Sequence, residues 1–183
     1  LVAGDLVVGK STVPVGTAER LAEQITQAQP GATLVWNPEF LREGFAVKDT
    51  LHPDRLVYGI PDGTAGKKAT AILDEVYATP MSEGTPRLVT DYATAQLVKV
   101  AANSFLATKI SFINAMAELC EATGADVTHL ADAIGHDARI GRKFLNAGLG
   151  FGGGCLPKAL RAFMARAEEL GVDRSLSCLS AVD

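Results

Sequence analysis

Four short apolar, β-branched runs punctuate the first ninety residues: Leu6 to Thr12, Thr33 to Trp36, Arg55 to Gly59 and Arg87 to Thr90. Each is flanked by glycine, proline or polar residues and predicts a strand. Two stretches with apolar residues at helical spacing, Thr17 to Ala28 and Ala65 to Tyr77, lie between them. Alternation of this kind predicts an α/β fold in which a parallel sheet carries helices on its faces. Ligands of such sheets sit at the carboxyl ends of the strands, and Thr12 and Glu39 fall just beyond two of those ends.

The pattern changes near Asp91. From there to about Gly124 no proline or glycine interrupts a dense series that includes Leu97, Val98, Val100, Phe105, Phe112, Ile113, Met116 and Leu119. The series predicts one helix of roughly 50 Å at about 1.5 Å per residue, longer than the small helices beside it can cover. Such a helix is expected to pack against a second chain or another domain. A short helix, Val127 to Ile134, comes next. Leu160, Phe163, Met164, Ala167 and Leu170 then mark a further helix that stops at Gly171. Residues 1–90 therefore read as one α/β domain and residues 91–183 as an all-helical one.

Composition narrows the class. The chain has 183 residues, 48% of them hydrophobic and 21% charged, as in an ordinary globular protein. Its net charge of −4 argues against nucleic acid or a polybasic membrane contact. Three cysteines without a CxxC pair suit a reducing compartment, and no run resembles a signal peptide or a membrane span, so a cytoplasmic protein is expected. The chain opens on Leu1 without methionine and stops at Ser180 to Asp183 inside an apolar pattern, so it is expected to be a fragment.

Chemistry concentrates in a few places. In Phe144 to Lys158, FLNAGLGFGGGCLPK, Cys155 stands between a glycine run and a predicted helix start, with Pro157 suited to the first turn. The helix dipole and Lys158 there favour thiolate over thiol, which makes Cys155 a candidate nucleophile. Cys120 and Cys178 lie among apolar residues and read as core cysteines. Gly148 to Gly153 matches GxGxxG, but it follows the polar segment Asp137 to Lys143 and no strand, so it reads as a loop closing over a substrate.

Asn37 to Gly44, NPEFLREG, has an N-cap residue, a proline and a closing glycine, and reads as a single helical turn. On such a turn Glu39 and Glu43 share a face. They serve either as a carboxylate pair able to activate water or as a solvated acidic face paired with Arg42. Lys99 and Asn103 are also four apart, in the most apolar helix. Lys99 must snorkel, pair or bind something, and the two together could hold a developing oxyanion. Lys10 to Gly16, KSTVPVG, places hydroxyls at a strand end. His52, His129 and His136 have no ligand-like spacing, and no metal site is expected.

KSTVPVG, NPEFLREG, the Lys99 and Asn103 pair and GFGGGCLPK occur in this order in the UDP-glucose/GDP-mannose dehydrogenases, and the chain resembles that family along nearly its whole length. Asp49 to Val57 and Ala138 to Gly141 look more like its UDP-glucose branch. The resemblance implies the second half of a Rossmann-like, NAD-binding domain, followed by a central helical domain that forms a homodimer through the long helix. It also implies a UDP-sugar as substrate: UDP-glucose is oxidised twice at C6 to UDP-glucuronate, two hydrides pass to NAD, and Cys155 carries a thiohemiacetal and then a thioester. Glu43 and Thr12 would help activate the hydrolytic water, while Lys99 and Asn103 would steady the oxygen at the reacting carbon. Substrate contacts would come from Glu39, Phe40, Leu41, Arg42 and Glu43, from Lys99 and Asn103, and from Phe144, Leu145, Asn146, Ala147, Gly148 and Gly152. Thr12, Glu43 and Lys158 would face the cofactor.

The chain departs from the family pattern at Ala159, where CLPKD calls for aspartate, so impaired turnover is expected. The fingerprint half of the cofactor domain and the nucleotide-binding domain that follows the central helices are not in the chain. Open alternatives are a non-catalytic dimerisation fragment, a dehydrogenase for another nucleotide sugar such as GDP-mannose, and a cysteine hydrolase pairing Cys155 with His136.

Overall fold

The computed structural model describes residues 1–151 and 156–182. Two compact units divide the chain, Leu1–Lys99 and Val100–Asp183, and the division falls within the long helix.

In the first unit, β1 (Leu6–Gly9), β2 (Thr33–Trp36), β3 (Leu56–Gly59) and β4 (Arg87–Thr90) form one sheet in that spatial order. Helices α1 (Thr17–Ala28), α2 (Ala46–Leu51), α3 (Gly63–Val76) and α4 (Ala78–Ser82) connect the strands. The predicted parallel pairing is found between β1 and β2, with Leu6 opposite Thr33, and between β3 and β4, with Leu56 opposite Arg87. The middle pair differs: β2 and β3 run antiparallel, joined at Trp36 and Gly59. The connection explains the reversal. Residues 37–55 hold only the six-residue α2, and the Asn37 side-chain amide donates to the Val57 carbonyl at 2.9 Å, so the chain re-enters the sheet at the end it left.

Alternation along β2 divides the core between two faces. Leu34 and Trp36 pack with Ala18 of α1, Val57 and Ala95, whereas Val35 packs with Leu56, Tyr58, Ala69 and Leu73 against α3. Gly9 belongs to this arrangement, because the Trp36 ring fills the space that a Cβ there would need. β1 stops at Gly9, short of the predicted Thr12, and Lys10 to Val13 turn off the edge.

α5 (Tyr92–Thr123) is the predicted long helix, 32 residues without a break. Its first turns cover the sheet. The Tyr92 hydroxyl donates to the Leu34 carbonyl at 2.6 Å, with burial pushing the phenol up to about 12, and Gln96 accepts from the Ala18 amide at 3.0 Å. Since β4 is antiparallel to β2, α5 starts at the far end of the sheet and runs back across it. Two turns bring Lys99 to the edge where β2 ends.

The second unit continues α5 with α6 (Val127–Gly135), α7 (Leu156–Glu169), a 3-10 turn (Asp173–Leu176) and α8 (Ser177–Ser180). Asp126 caps α6 by accepting from the Thr128 and His129 amides. Ile113, Ala131 and Leu145 are buried together with Met116, Val127, Leu130 and Ile134 around them. Cys120 is buried as expected. Cys178 is exposed, contrary to the core reading, because α8 turns the neighbouring Leu179 inward. Leu97, Phe105, Phe112 and Leu119 remain exposed along α5 at steps of seven or eight residues. Among the described residues no helix is long and apolar enough to cross a membrane.

Candidate functional site

The edge at which β1 and β2 end gathers the chemistry of the first unit. Lys10 to Thr12 leave β1 there, Asn37 to Glu43 leave β2 there, and Arg55 enters β3 there. A cleft of about 110 Å³ lies among Lys10, Asn37, Glu39, Phe40, Asp54 and Arg55.

NPEFLREG is not the helical turn that its capping residues predict. Residues 37–45 are irregular, Gly44 takes a left-handed φ of 80°, and helix starts only at Ala46. Tertiary partners take the groups a helix would have used. Asn37, fully buried, accepts at Oδ1 from the Lys10 ammonium at 2.7 Å and from the Tyr77 hydroxyl at 2.6 Å. The Glu39 carboxylate turns to the Leu41 amide two residues on, at 2.6 Å. Glu39 and Glu43 therefore do not share a helical face.

Arg42 pairs with Asp49. Its backbone amide and its Nε both donate to Asp49 Oδ2, at 2.9 and 2.8 Å. Hydrogen bonding to the Arg42 side chain brings the Asp49 carboxyl down to about 2, burial opposing and the backbone bond assisting. This lock closes the loop onto α2.

Lys99 resolves its burial by pairing. Only 8% exposed, it places Nζ 3.4 Å from Glu39 Oε1 and 5.4 Å from the centroid of the Phe40 ring. The same ring carries the Arg55 guanidinium at 3.8 Å. Thr12 is exposed three residues beyond β1. Of the expected first-unit residues, Glu39, Phe40 and Lys99 are in mutual contact. Four participants were not foreseen: Lys10, Tyr77, Asp49 and Arg55. Their partners lie 7 to 67 positions away with no helical register to announce them.

In the second unit Asn103 lies one turn beyond Lys99 on α5. Phe144 to Gly148 form an irregular loop after α6. Phe144 adopts a φ of 66°, which is costly for a side chain of its size, and Leu145 beside it is buried. Arg142 Nη1 donates to the Leu145 carbonyl at 3.0 Å and to Asn146 Oδ1 at 2.8 Å, and the Gly148 amide donates to Asn114 Oδ1 at 2.9 Å. Among the described residues no strand lies between α6 and Gly148. Gly152 and Cys155 lie outside the described residues. Lys158 is exposed on the first turn of α7, and Ala159 beside it is 5% exposed.

The first unit is thus an α/β unit whose sheet edge, built on parallel β1 and β2, bears an ammonium beside a carboxylate. The chain belongs to the UDP-glucose/GDP-mannose dehydrogenase family: residues 1–81 match the family's NAD binding domain and residues 93–183 its central domain. It is 48% identical over 166 residues to the UDP-glucose 6-dehydrogenase of Rhizobium meliloti, covering 90% of this chain and 38% of that one. Identity to a UDP-glucose 6-dehydrogenase of Arabidopsis thaliana is 51% over 157 residues, or 84% of this chain and 32% of that one. A UDP-glucose dehydrogenase structure from the archaeon Pyrobaculum islandicum superposes with a TM-score of 0.86 at 43% identity, over 97% of this chain and 40% of that one. The chain thus spans about two fifths of the length of these relatives.

Proposed function

We propose that this chain contributes the substrate edge and the reactive cysteine of an NAD-dependent oxidation of UDP-glucose to UDP-glucuronate. The observation that carries the reading is the buried Lys99 ammonium, held at the edge where β1 and β2 end by a carboxylate of the NPEF segment. An ammonium there, with the Asn103 amide one turn on, is suited to stabilise negative charge on the oxygen at C6. Loss of a hydride from C6 and of its hydroxyl proton leaves the aldehyde. Cys155 adds its thiolate to that carbon, and protonation of the oxygen gives a thiohemiacetal; loss of its hydroxyl proton and of a second hydride gives a thioester. Water, activated by Glu43 with Thr12, hydrolyses the thioester, releasing the acid and restoring the thiol. NAD, when bound, accepts the two hydrides. Thr12 and Lys158 are both exposed and offer hydroxyl and ammonium donors of the kind that hold a dinucleotide, and Glu43 completes the proposed cofactor contacts. The loop Glu39 to Glu43 and the segment Phe144 to Gly148, with Gly152, hold the UDP-sugar.

The exposed row Leu97, Phe105, Phe112 and Leu119 supports homodimerisation through α5. Ala159 supports a slowed turnover, since a buried methyl stands where the family pattern has a carboxylate. The test places residues 1–183 in the frame of a full-length relative and follows NADH formation from UDP-glucose. Ala159→Asp is expected to raise the rate at least about tenfold, which is roughly 1.4 kcal/mol of barrier. Oxidation of GDP-mannose in preference to UDP-glucose, or no binding of UDP-glucose by either form, overturns the reading.

A further inference from the structure

We infer that Arg55 is a positioning residue for the Lys99 ammonium and that it acts through the ring of Phe40. Two cations share this ring: the Arg55 guanidinium carbon lies 3.8 Å from its centroid and Lys99 Nζ lies 5.4 Å from it. Glu39 alone holds Lys99 loosely. Their 3.4 Å ion pair is longer than a charge-assisted hydrogen bond, and the other Glu39 oxygen is engaged by the Leu41 amide at 2.6 Å. The face of Phe40 is therefore the second wall that fixes where the ammonium sits.

Phe40 lies on an irregular, half-buried segment, so its ring needs a support of its own. Arg55 supplies it by stacking a planar guanidinium on the ring face. The antiparallel entry of β3 makes the contact feasible, because it delivers Arg55 to the edge that Phe40 leaves. Lysine at 55 would keep the charge and lose the planar stack.

The catalytic consequence rests on the proposed dehydrogenase function, whereas the structural coupling does not. The coupling is read by NMR on protein carrying lysine labelled with ¹³C at Cε. In the wild type the Phe40 ring current displaces the Lys99 Hε signal, and Phe40→Leu defines its undisplaced position. Arg55→Gln is expected to move Lys99 at least halfway to that position. Arg55→Lys is expected to move it less, in the same direction, and carries the test if glutamine at 55 prevents folding. A Lys99 signal unmoved by the Arg55 substitutions, or unmoved by Phe40→Leu, overturns the inference.

In the active hybrid, Arg55→Gln is expected to lower kcat about five- to thirtyfold, the range of a desolvated cation–π contact, with the KM for NAD unchanged. In a Lys99→Met background the same substitution is expected to have no further effect; a full further loss there would mean that Arg55 acts on the fold and not through Lys99. If the hybrid fails to oxidise UDP-glucose while the NMR coupling holds, the functional reading falls and the positioning of Lys99 by Arg55 stands.

Discussion

Two loops carry the family motifs, and they are held in different ways. Residues 37–45 of the first unit are fastened by side chains: Asn37 to Lys10 and Tyr77, Glu39 to Lys99, Arg42 to Asp49. The stretch Phe144 to Gly148 of the second unit is held by packing and by neutral acceptors. Leu145 is sunk in the core, Phe144 turns left-handed to allow it, and neutral oxygens of Leu145 and Asn146 accept from Arg142. Charged locks respond to pH and to the loss of one partner, whereas a packed anchor responds to the loss of volume.

The largest effect is expected at the packed anchor. Leu145→Ala leaves a cavity beside Ile113 and Ala131 and should cost about 3 kcal/mol, measured by urea unfolding. A cost below about 1 kcal/mol would show that Leu145 does not anchor the loop. Next comes the polar anchor of the other loop. Asn37→Ala strands the Val57 carbonyl and removes the acceptor that the Lys10 ammonium and the Tyr77 hydroxyl share, for about 2 kcal/mol. Tyr77→Phe removes one of the two donors to Asn37 and should cost about half as much. Equal costs would mean that the tyrosine and not the asparagine organises the cluster.

The smallest effect is the pH response that separates the loops. The folded carboxyl of Asp49 lies at about 2, below its ordinary value near 4. Its contribution is therefore complete above about pH 4 and fades as pH falls toward 2, where the folded form also takes up the proton. Amide exchange should accelerate at Arg42 over that range and not at Gly148, whose acceptor is an asparagine. Asp49→Asn should abolish the difference. Equal acid sensitivity at both amides would dissolve the contrast.

Local pattern alone made much of the fold legible. Thr17–Ala28, Thr33–Trp36 and Arg87–Thr90 fall where periodicity and punctuation put them, and the unbroken run after Asp91 is one helix because nothing in it can stop one. α2 and α4 escaped notice because five or six residues carry too little periodic signal. The site was legible as residue types in order, so Lys99 was seen to need a partner from its apolar setting. Its partner was not, since Glu39 lies sixty positions away and its apparent helical register with Glu43 pointed elsewhere.

By itself the sequence determined which segments become strands and helices, because propensity, capping and apolar spacing act within a few residues. It also determined membership of the family, through four motifs in fixed order. Only the tertiary structure decided the antiparallel entry of β3, the irregular course of NPEFLREG and the sharing of Phe40 between Arg55 and Lys99. Those outcomes depend on which distant groups satisfy buried amides and charges. A buried polar group takes the partner that the packed chain brings to it, whatever helix its neighbours in sequence would have formed.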